Sequence, residues 1–157
     1  MSVQSDSHYM SLALQQAEIA GKSGEVPVGA VLVLKDGSMH ATHNAPITLN
    51  DASAHAEMRA IRAACEAVGN YRLAGSTMYV TLEPCTMCAG AIVHARIGRV
   101  VYGASDPKTG AVESLYHILS DSRLNHQPEV TGGILAEACG SLLRDFFASR
   151  RTGRKTT

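Results

Sequence analysis

This 157-residue sequence lacks long apolar runs, a secretion signal and a net charge. No apolar run approaches the ~18 residues that a membrane-spanning helix needs, and the polar start lacks the basic and apolar regions of a signal peptide. Four cysteines at irregular spacing are too few for a disulfide framework, so we expect free thiols. We therefore expect a cytoplasmic protein that does not enter membranes.

Charge is sparse and unevenly distributed. Charged residues make up 18% of the sequence, and fourteen basic residues balance fourteen acidic ones. This balance argues against long-range attraction of the whole molecule to nucleic acid or to anionic membranes. Residues 1–143 carry nine basic and thirteen acidic groups, whereas residues 144–157 carry five and one. The neutral total therefore combines an acidic body with a basic C-terminal end.

The chain length predicts one domain over residues 1–157, with a core at about 8–150 and a basic tail at 151–157. Apolar spacing predicts helices and strands that alternate along most of the chain. Such alternation indicates an α/β fold with parallel strands and an antiparallel hairpin at one side. The last helix should begin near Ile134 with a cap at Thr131 or Gly132, and the chain after Arg150 should fray.

Two short segments carry the strongest chemical pattern. They are residues 55–57 (His-Ala-Glu) and residues 84–88 (Pro-Cys-Thr-Met-Cys), the second at the predicted start of a helix. The C-x-x-C spacing puts two sulfurs on one helix face, and a helix N-terminus favours thiolates. One imidazole and two thiolates are donors that zinc accepts, and three protein ligands leave a position for water. His55, Cys85 and Cys88 therefore indicate a catalytic zinc site.

Glu57 is the candidate general base, because a zinc ion with two thiolates is formally neutral and activates its water less strongly. Residues two apart on a helix do not face each other, so His55 must stand at the helix entrance with non-helical dihedral angles. A thiol-disulfide redox pair is the alternative for the two cysteines, since a strand followed by C-x-x-C and a helix also builds thioredoxin-like sites.

The pattern H-x-E followed by P-C-x-x-C resembles that of the zinc-dependent nucleoside and nucleic-acid deaminases. Further segments between about residues 8 and 151 resemble the bacterial tRNA-specific adenosine deaminases. Among them are Glu25-Val-Pro-Val-Gly-Ala-Val31, Thr81-Leu-Glu-Pro-Cys85, Asp106-Pro-Lys-Thr-Gly110 and Asp145-Phe-Phe147. The resemblance implies a three-layer α/β/α cytidine deaminase-like fold with a central mixed β-sheet of about five strands. It also implies a homodimer with one zinc ion per subunit.

The resemblance further implies hydrolytic deamination of the wobble adenosine in a tRNA anticodon stem-loop to inosine, with release of ammonia. It assigns zinc to His55, Cys85 and Cys88 and the proton shuttle to Glu57. Asn44 would bind the flipped base or its ribose. The other implied substrate contacts are Val26, Pro46, Ile47, Asp106, Lys108, Thr109, Asn70, Asn125, His126, Phe147 and Arg150.

Some of these residues also have purely structural interpretations. Asn44 could hold a turn before Pro46, and Asp106-Pro107 is a common turn pair. Phe146 and Phe147 lie about 100° apart on a helix, so at most one should face the core squarely, and the other could stack on an RNA base or pack at a subunit interface. Deamination of a free base or nucleoside such as guanine or cytidine is the second enzyme hypothesis, because zinc and Glu57 would serve either reaction.

Overall fold

The computed structural model describes the backbone of residues 3–156 and the side chains of residues 4–151. The described residues form five α-helices, α1 (Val3–Lys22), α2 (Pro46–Leu49), α3 (Ala56–Val68), α4 (Thr86–Ala95) and α5 (Ala136–Thr156), and one short 3-10 helix, Ile118–Ser120. The strands are β1 (Gly29–Val33), β2 (Met39–His43), β3 (Thr77–Leu82), β4 (Arg99–Ala104) and β5 (Glu129–Thr131). Along the described residues, no helix combines the length and the hydrophobicity needed to cross a bilayer.

The strands form one mixed sheet in the order β2-β1-β3-β4-β5. β1 pairs antiparallel with both β2 and β3, whereas β3, β4 and β5 pair parallel. β2 and β3, which α3 connects, run in the same direction, but β1 lies between them. The predicted hairpin therefore occupies one edge of the sheet. The carboxyl ends of β2, β3 and β4 meet at one end of the sheet, where loops bind ligands in folds of this kind.

Helices cover both faces of the sheet, because alternate strand residues are apolar on both sides. In β1, Leu32 belongs to the apolar cluster that holds Ala60 of α3 and Ile92 of α4. Its neighbour Val31 belongs to a second cluster that holds Met10 of α1 and Cys139 of α5. The predicted three-layer α/β/α arrangement with a five-stranded mixed sheet is confirmed.

The C-terminal helix differs from the sequence prediction at both ends. α5 begins at Ala136 and is not capped at Thr131 or Gly132, because Thr131 ends β5 and Leu135 has a left-handed φ of 54°. The backbone after Arg150, which was expected to fray, continues as helix to Thr156. The tail's side chains beyond Arg151 lie outside the described residues.

A buried ion pair fastens α1 to the sheet. Arg99 of β4 donates two hydrogen bonds of 2.8 Å to the carboxylate of Asp6, and the Tyr79 hydroxyl donates a third of 3.0 Å. The Arg99 guanidinium, aided by Tyr79 and opposed by burial, holds the pKa of Asp6 below its ordinary value. Arg99 also donates to the hydroxyl of Thr131, so the same guanidinium links β5 to the pair.

Candidate active site

Two helix N-termini bring the candidate metal ligands together at the carboxyl end of the sheet. His55 is the N-cap residue of α3, with φ −67° and ψ 153°, and Cys85 is the N-cap residue of α4, with φ −78° and ψ 179°. Both residues have extended backbone, so the condition that the sequence placed on His55 is met. Cys88 follows in the first turn of α4 and is fully buried.

The donor atoms fit a tetrahedral zinc ion. Nδ1 of His55 lies 3.6 Å from Sγ of Cys85 and 3.4 Å from Sγ of Cys88, and all three donor atoms lie within 4.8 Å of one another. Zinc bonds of about 2.3 Å to sulfur and about 2.0 Å to nitrogen put the two atom types about 3.5 Å apart in tetrahedral geometry. The observed sulfur–nitrogen distances therefore match a zinc site without rearrangement.

The two thiols have pKa values shifted in opposite directions. The hydrogen bond from Cys88, opposed by burial and aided by His55, lowers the pKa of Cys85 to about 4. The same contact and burial raise the pKa of Cys88. The hydrogen bond with Cys85 raises the pKa of His55. The site therefore holds a thiolate at neutral pH, which is the form of cysteine that binds metal.

Glu57 is buried beside the ligands, with 4% of its surface exposed. It is the second residue of α3, and its carboxyl faces the thiol of Cys88. Burial raises the pKa of Glu57 against the opposing effects of a backbone hydrogen bond and of His55. A buried carboxyl next to three metal ligands has the placement of a general acid or base.

A pocket of about 190 Å³ is bordered by His55, Cys85 and Glu57. Three predicted substrate contacts, Val26, Asn44 and Thr109, also border it. The side chain of Asn44 donates a 3.2 Å hydrogen bond from Nδ2 to the carbonyl of Val26, so Asn44 holds the pocket wall together. The Asn44 side chain therefore bonds across the pocket wall to a residue distant in sequence, and this bond does not belong to a turn before Pro46.

Asp106 borders this pocket too, and it holds its own loop in shape. Its carboxylate accepts hydrogen bonds of 3.1 Å and 3.2 Å from the backbone N–H groups of Lys108 and Thr109. The Thr109 hydroxyl donates a third, of 2.7 Å. This is the turn arrangement that was the alternative for Asp106, and it sets the backbone of the loop at the pocket.

A larger cavity of about 600 Å³ shares Val26 and Asn44 with the metal pocket. Pro46 and Ile47, expected as walls of the base pocket, border this outer cavity, and Ile47 is 70% exposed. Both residues belong to α2, the four-residue helix at this cavity, and neither borders the metal pocket. Phe147 borders the same cavity.

A second outer cavity, of about 520 Å³, is bordered by Val26, Asp106, Lys108, Thr109 and Phe147. The metal pocket shares Val26, Asp106 and Thr109 with it. Phe147 borders both outer cavities, as do Val26 and Arg151. An aromatic ring and a basic residue are therefore common to the two spaces next to the metal pocket.

Arg150, which borders the larger outer cavity, is hydrogen-bonded to the body of the protein. Arg150 donates a 2.6 Å hydrogen bond from Nη2 to the carbonyl of Gly24 and lies 4.8 Å above the ring of Phe146. Phe146 is half-buried, whereas Phe147 is 44% exposed. Both rings border the larger outer cavity and neither belongs to the two apolar clusters, so Phe146 does not face the core, and Phe147 is the more exposed of the two.

Three predicted substrate contacts lie outside the metal pocket, at other places in the fold. Asn70 follows the C-terminus of α3, so a 13-residue helix about 20 Å long separates it from His55. His126 donates a 2.7 Å hydrogen bond from Nε2 to the carbonyl of Ile97, just before β4 begins and at the opposite end of the sheet. Asn125 is exposed beside it. The three residues therefore do not border the metal pocket, and they stay predictions for contacts to anticodon nucleotides next to the adenosine.

Two buried carboxylates near the site had no role in the sequence interpretation. Glu25 accepts hydrogen bonds from the backbone of Ile47 and from the backbone and hydroxyl of Thr48, which fixes α2 at the rim of the outer cavity. Burial acts to raise the pKa of Glu83, but the Ser114 hydroxyl and several backbone N–H groups outweigh it and lower the pKa to about 2. Glu25 and Glu83 each stand within an apolar segment of the sequence, and this pattern could have indicated a buried acidic residue.

These features define a zinc-dependent deaminase. The family model described as "Cytidine and deoxycytidylate deaminase zinc-binding region" matches residues 3–104, and the chain belongs to this family. The match and the donor geometry confirm the zinc prediction and favour it over a redox pair of cysteines.

Within this class, the chain belongs with the tRNA-specific adenosine deaminases. It is 48% identical over 150 residues to the one from Bacillus subtilis, covering 96% of this chain and 93% of that protein. It is 50% identical over 151 residues to the one from Haemophilus influenzae, covering 96% and 87%. The predicted family is confirmed.

Solved structures agree with this grouping. One from a study of A-to-I editing by tRNA:A34 deaminases at the wobble position of transfer RNA superimposes with a TM-score of 0.83 at 52% identity, covering 87% of this chain and 99% of that one. A guanine deaminase from Nitrosomonas europaea superimposes with a TM-score of 0.78 at 21% identity, covering 90% and 84%. The second likeness shows the shared fold alone.

Proposed function

We propose that this protein converts the wobble adenosine of a tRNA anticodon to inosine by hydrolysis, with release of ammonia. The observation that carries the proposal is the burial of Glu57 beside the cluster of His55, Cys85 and Cys88, at a small pocket that Glu57, His55 and Cys85 border. The names of the relatives, which are tRNA-specific adenosine deaminases at about half identity over nearly the whole chain, support adenosine in tRNA over a free base.

The chemistry assigns one task to each group. Zinc, when held by His55, Cys85 and Cys88, activates a water molecule as a nucleophile. Glu57 takes a proton from water and delivers it to ring nitrogen N1 as the water oxygen bonds to carbon 6 of adenine. Glu57 then moves a proton to the exocyclic amine, the carbon–nitrogen bond breaks, and ammonia leaves. Adenosine and water are thereby converted to inosine and ammonia.

The cavities match a flipped nucleotide with neighbours on either side. The adenine occupies the metal pocket between Val26 and Asn44, because enzymes that act on a base take it out of the stack. The two outer cavities receive the flanking nucleotides, and Phe147 offers an exposed ring on which a base stacks. Lys108 and Arg150 border these cavities and supply positive charge to phosphates.

We further propose that the substrate is the anticodon stem-loop, that the protein acts as a homodimer and that it works in the cytoplasm. The family resemblance supports the dimer, and a tRNA substrate supports the location. Light scattering on the purified chain tests the dimer: a mass near twice 16.6 kDa is expected, and a mass of one chain would contradict it.

The decisive assay uses an unmodified RNA stem-loop with adenosine at the wobble position. We expect inosine at that position, measured by nuclease digestion and mass spectrometry. A matched stem-loop with the adenosine moved into the stem should stay unchanged, because a paired base costs energy to flip. Turnover of free guanine or cytidine without inosine in the RNA would show that the free-base hypothesis is the correct one.

A further inference from the structure

Glu83 is a buried carboxylate that binds a segment distant in sequence. Only 2% of its surface is exposed, and it stands at the end of β3, two residues before Cys85. Its Oε1 accepts hydrogen bonds from the backbone N–H of Asp106, at 3.0 Å, and from the hydroxyl of Ser114. Its Oε2 accepts from three further backbone N–H groups, those of Val112, Glu113 and Ser114, at 2.8–3.1 Å.

We call residues 105–114 the pocket loop, since Asp106 and Thr109 border the metal pocket. The pocket loop is fitted closely around the carboxylate. A Cβ on Gly110 would come within 2.5 Å of Oε1 of Glu83, so this approach requires glycine. The N–H of Ala111 donates a 2.8 Å hydrogen bond to the carbonyl of Pro84, next to Glu83. Both ends of the pocket loop are therefore attached to the segment that carries the cysteines.

Glu83 borders the metal pocket, and its carboxylate is hydrogen-bonded to the pocket loop. The hydrogen bonds of its carboxylate all lead to residues 106–114, whereas His55 Nδ1 contacts the sulfurs of Cys85 and Cys88. Asp106 and Thr109, which the carboxylate holds in place through the loop backbone, border both the metal pocket and an outer cavity. Loss of the carboxylate would therefore displace the substrate side of the pocket and leave the ligand side intact.

We propose that Glu83 is a positioning residue, which fixes the pocket loop against the metal-binding segment and so sets the affinity for the RNA substrate. The proposal rests on the proposed function for its choice of substrate. It assigns Glu83 no contact with the reacting atoms. Because the loop binds substrate and transition state alike, its displacement raises KM and leaves kcat nearly unchanged.

The test replaces Glu83 by glutamine, which keeps the shape of the side chain. One of the two acceptor oxygens becomes an NH₂ donor, which faces backbone N–H groups that are donors themselves. Glu83→Gln should keep one zinc per chain and exchange the amide hydrogens of residues 106–114 faster. Its KM for the wobble-adenosine stem-loop should rise by roughly tenfold or more, a typical effect of removing a supporting hydrogen-bond partner, with kcat within about twofold.

A milder variant and a matched control keep the result interpretable. Ser114→Ala removes one hydroxyl donor to the same carboxylate and should raise KM in the same direction by a smaller factor. It serves as the test if Glu83→Gln does not fold. Glu66→Gln makes the same charge change on the exposed side of α3 and should leave KM as it is. Loss of zinc, or a fall in kcat at constant KM, in the folded Glu83 or Ser114 variant would overturn the proposal.

Failure of the proposed function would be seen separately. If the unmodified chain forms no inosine, the wobble-adenosine activity is wrong, and the dissociation constant for the stem-loop RNA replaces KM as the readout. A Glu83→Gln chain that binds this RNA as tightly as the unmodified chain would then refute the positioning role. Weaker binding with unchanged zinc content would support it.

Discussion

Nδ1 of His55 lies 3.4 Å from Sγ of Cys88, although 33 positions separate the two residues in the chain. The contact exists because β2 and β3 end at the same end of the sheet. β3 leads directly to α4, and β2 leads through α2 and a short loop to α3. His55 enters one helix and Cys85 enters the other, both with extended backbone. The metal site is therefore a property of the sheet topology as much as of the motifs.

Replacing the imidazole tests this site. His55→Ala removes the only nitrogen donor of the three-residue cluster that the described chain contains, and two thiols alone bind zinc more weakly. We expect the purified variant to contain far less than one zinc per chain by inductively coupled plasma mass spectrometry. His94→Ala, an exposed position on α4, is the control and should keep its zinc. A full zinc complement in His55→Ala would mean that other residues hold the metal.

The ion pair of Asp6 and Arg99 predicts a pH-dependent stability. The pKa of Asp6 is lower in the folded protein than in the unfolded chain, where it is about 3.9. The ionised carboxylate therefore stabilises the fold at pH values above about 3.9, and this contribution is lost as the pH falls through the pKa of the folded state. Asp6→Asn leaves Arg99 buried without its anion and should lower the free energy of unfolding by about 3 kcal/mol at pH 7.

The difference between Asp6→Asn and the unmodified chain should shrink when urea unfolding is repeated near pH 3. Asp121→Asn, which breaks an exposed pair with Arg123, should change stability little at either pH. An effect of Asp6→Asn that is the same at both pH values would show that its charge does not contribute.

The basic edge of the outer cavities predicts a salt effect on RNA binding. Arg150 and Arg151 border the cavity next to Phe147. If each contacts a phosphate, the double variant Arg150→Ala/Arg151→Ala should lower the slope of log Kd against log salt by roughly 1.5 to 2. Arg123→Ala, which removes a cation that is paired with Asp121 near the other end of the sheet, should leave the slope as it is. A slope unchanged by the double variant would place the RNA elsewhere.

The sequence predicted most of what is local. The strand and helix around Cys85 and Cys88 follow from a short β-branched run, a proline and an apolar helix, and their bounds agree with the structure to within a residue or two. The sequence also stated the condition on His55, an extended backbone at the helix entrance, which the structure meets. The start of α5 was predicted to within two residues, but β5 and the left-handed Leu135 before the helix were not, because three strand residues and one residue of positive φ give no periodic signal.

What depends on distance through space could not be predicted from one sequence. Asn70 and His126 have suitable chemistry for an RNA contact, yet the length of α3 and the opposite end of the sheet separate them from the pocket. Glu83 was missed for the converse reason. Its partners lie 23 to 31 residues further along the chain, and most of them are backbone N–H groups. Every residue except proline has such a group, so the sequence does not indicate which ones bind the carboxylate.

Glu57 offers the most direct test of the account. Glu57→Gln keeps the size and burial of the side chain but removes its ability to carry a proton. The variant and the unmodified chain are incubated with the wobble-adenosine stem-loop, and inosine and zinc are measured on the same samples. We predict one zinc per chain in both and a loss of turnover of about 10² or more in the variant. Near-normal inosine formation by a zinc-loaded Glu57→Gln chain would contradict the account.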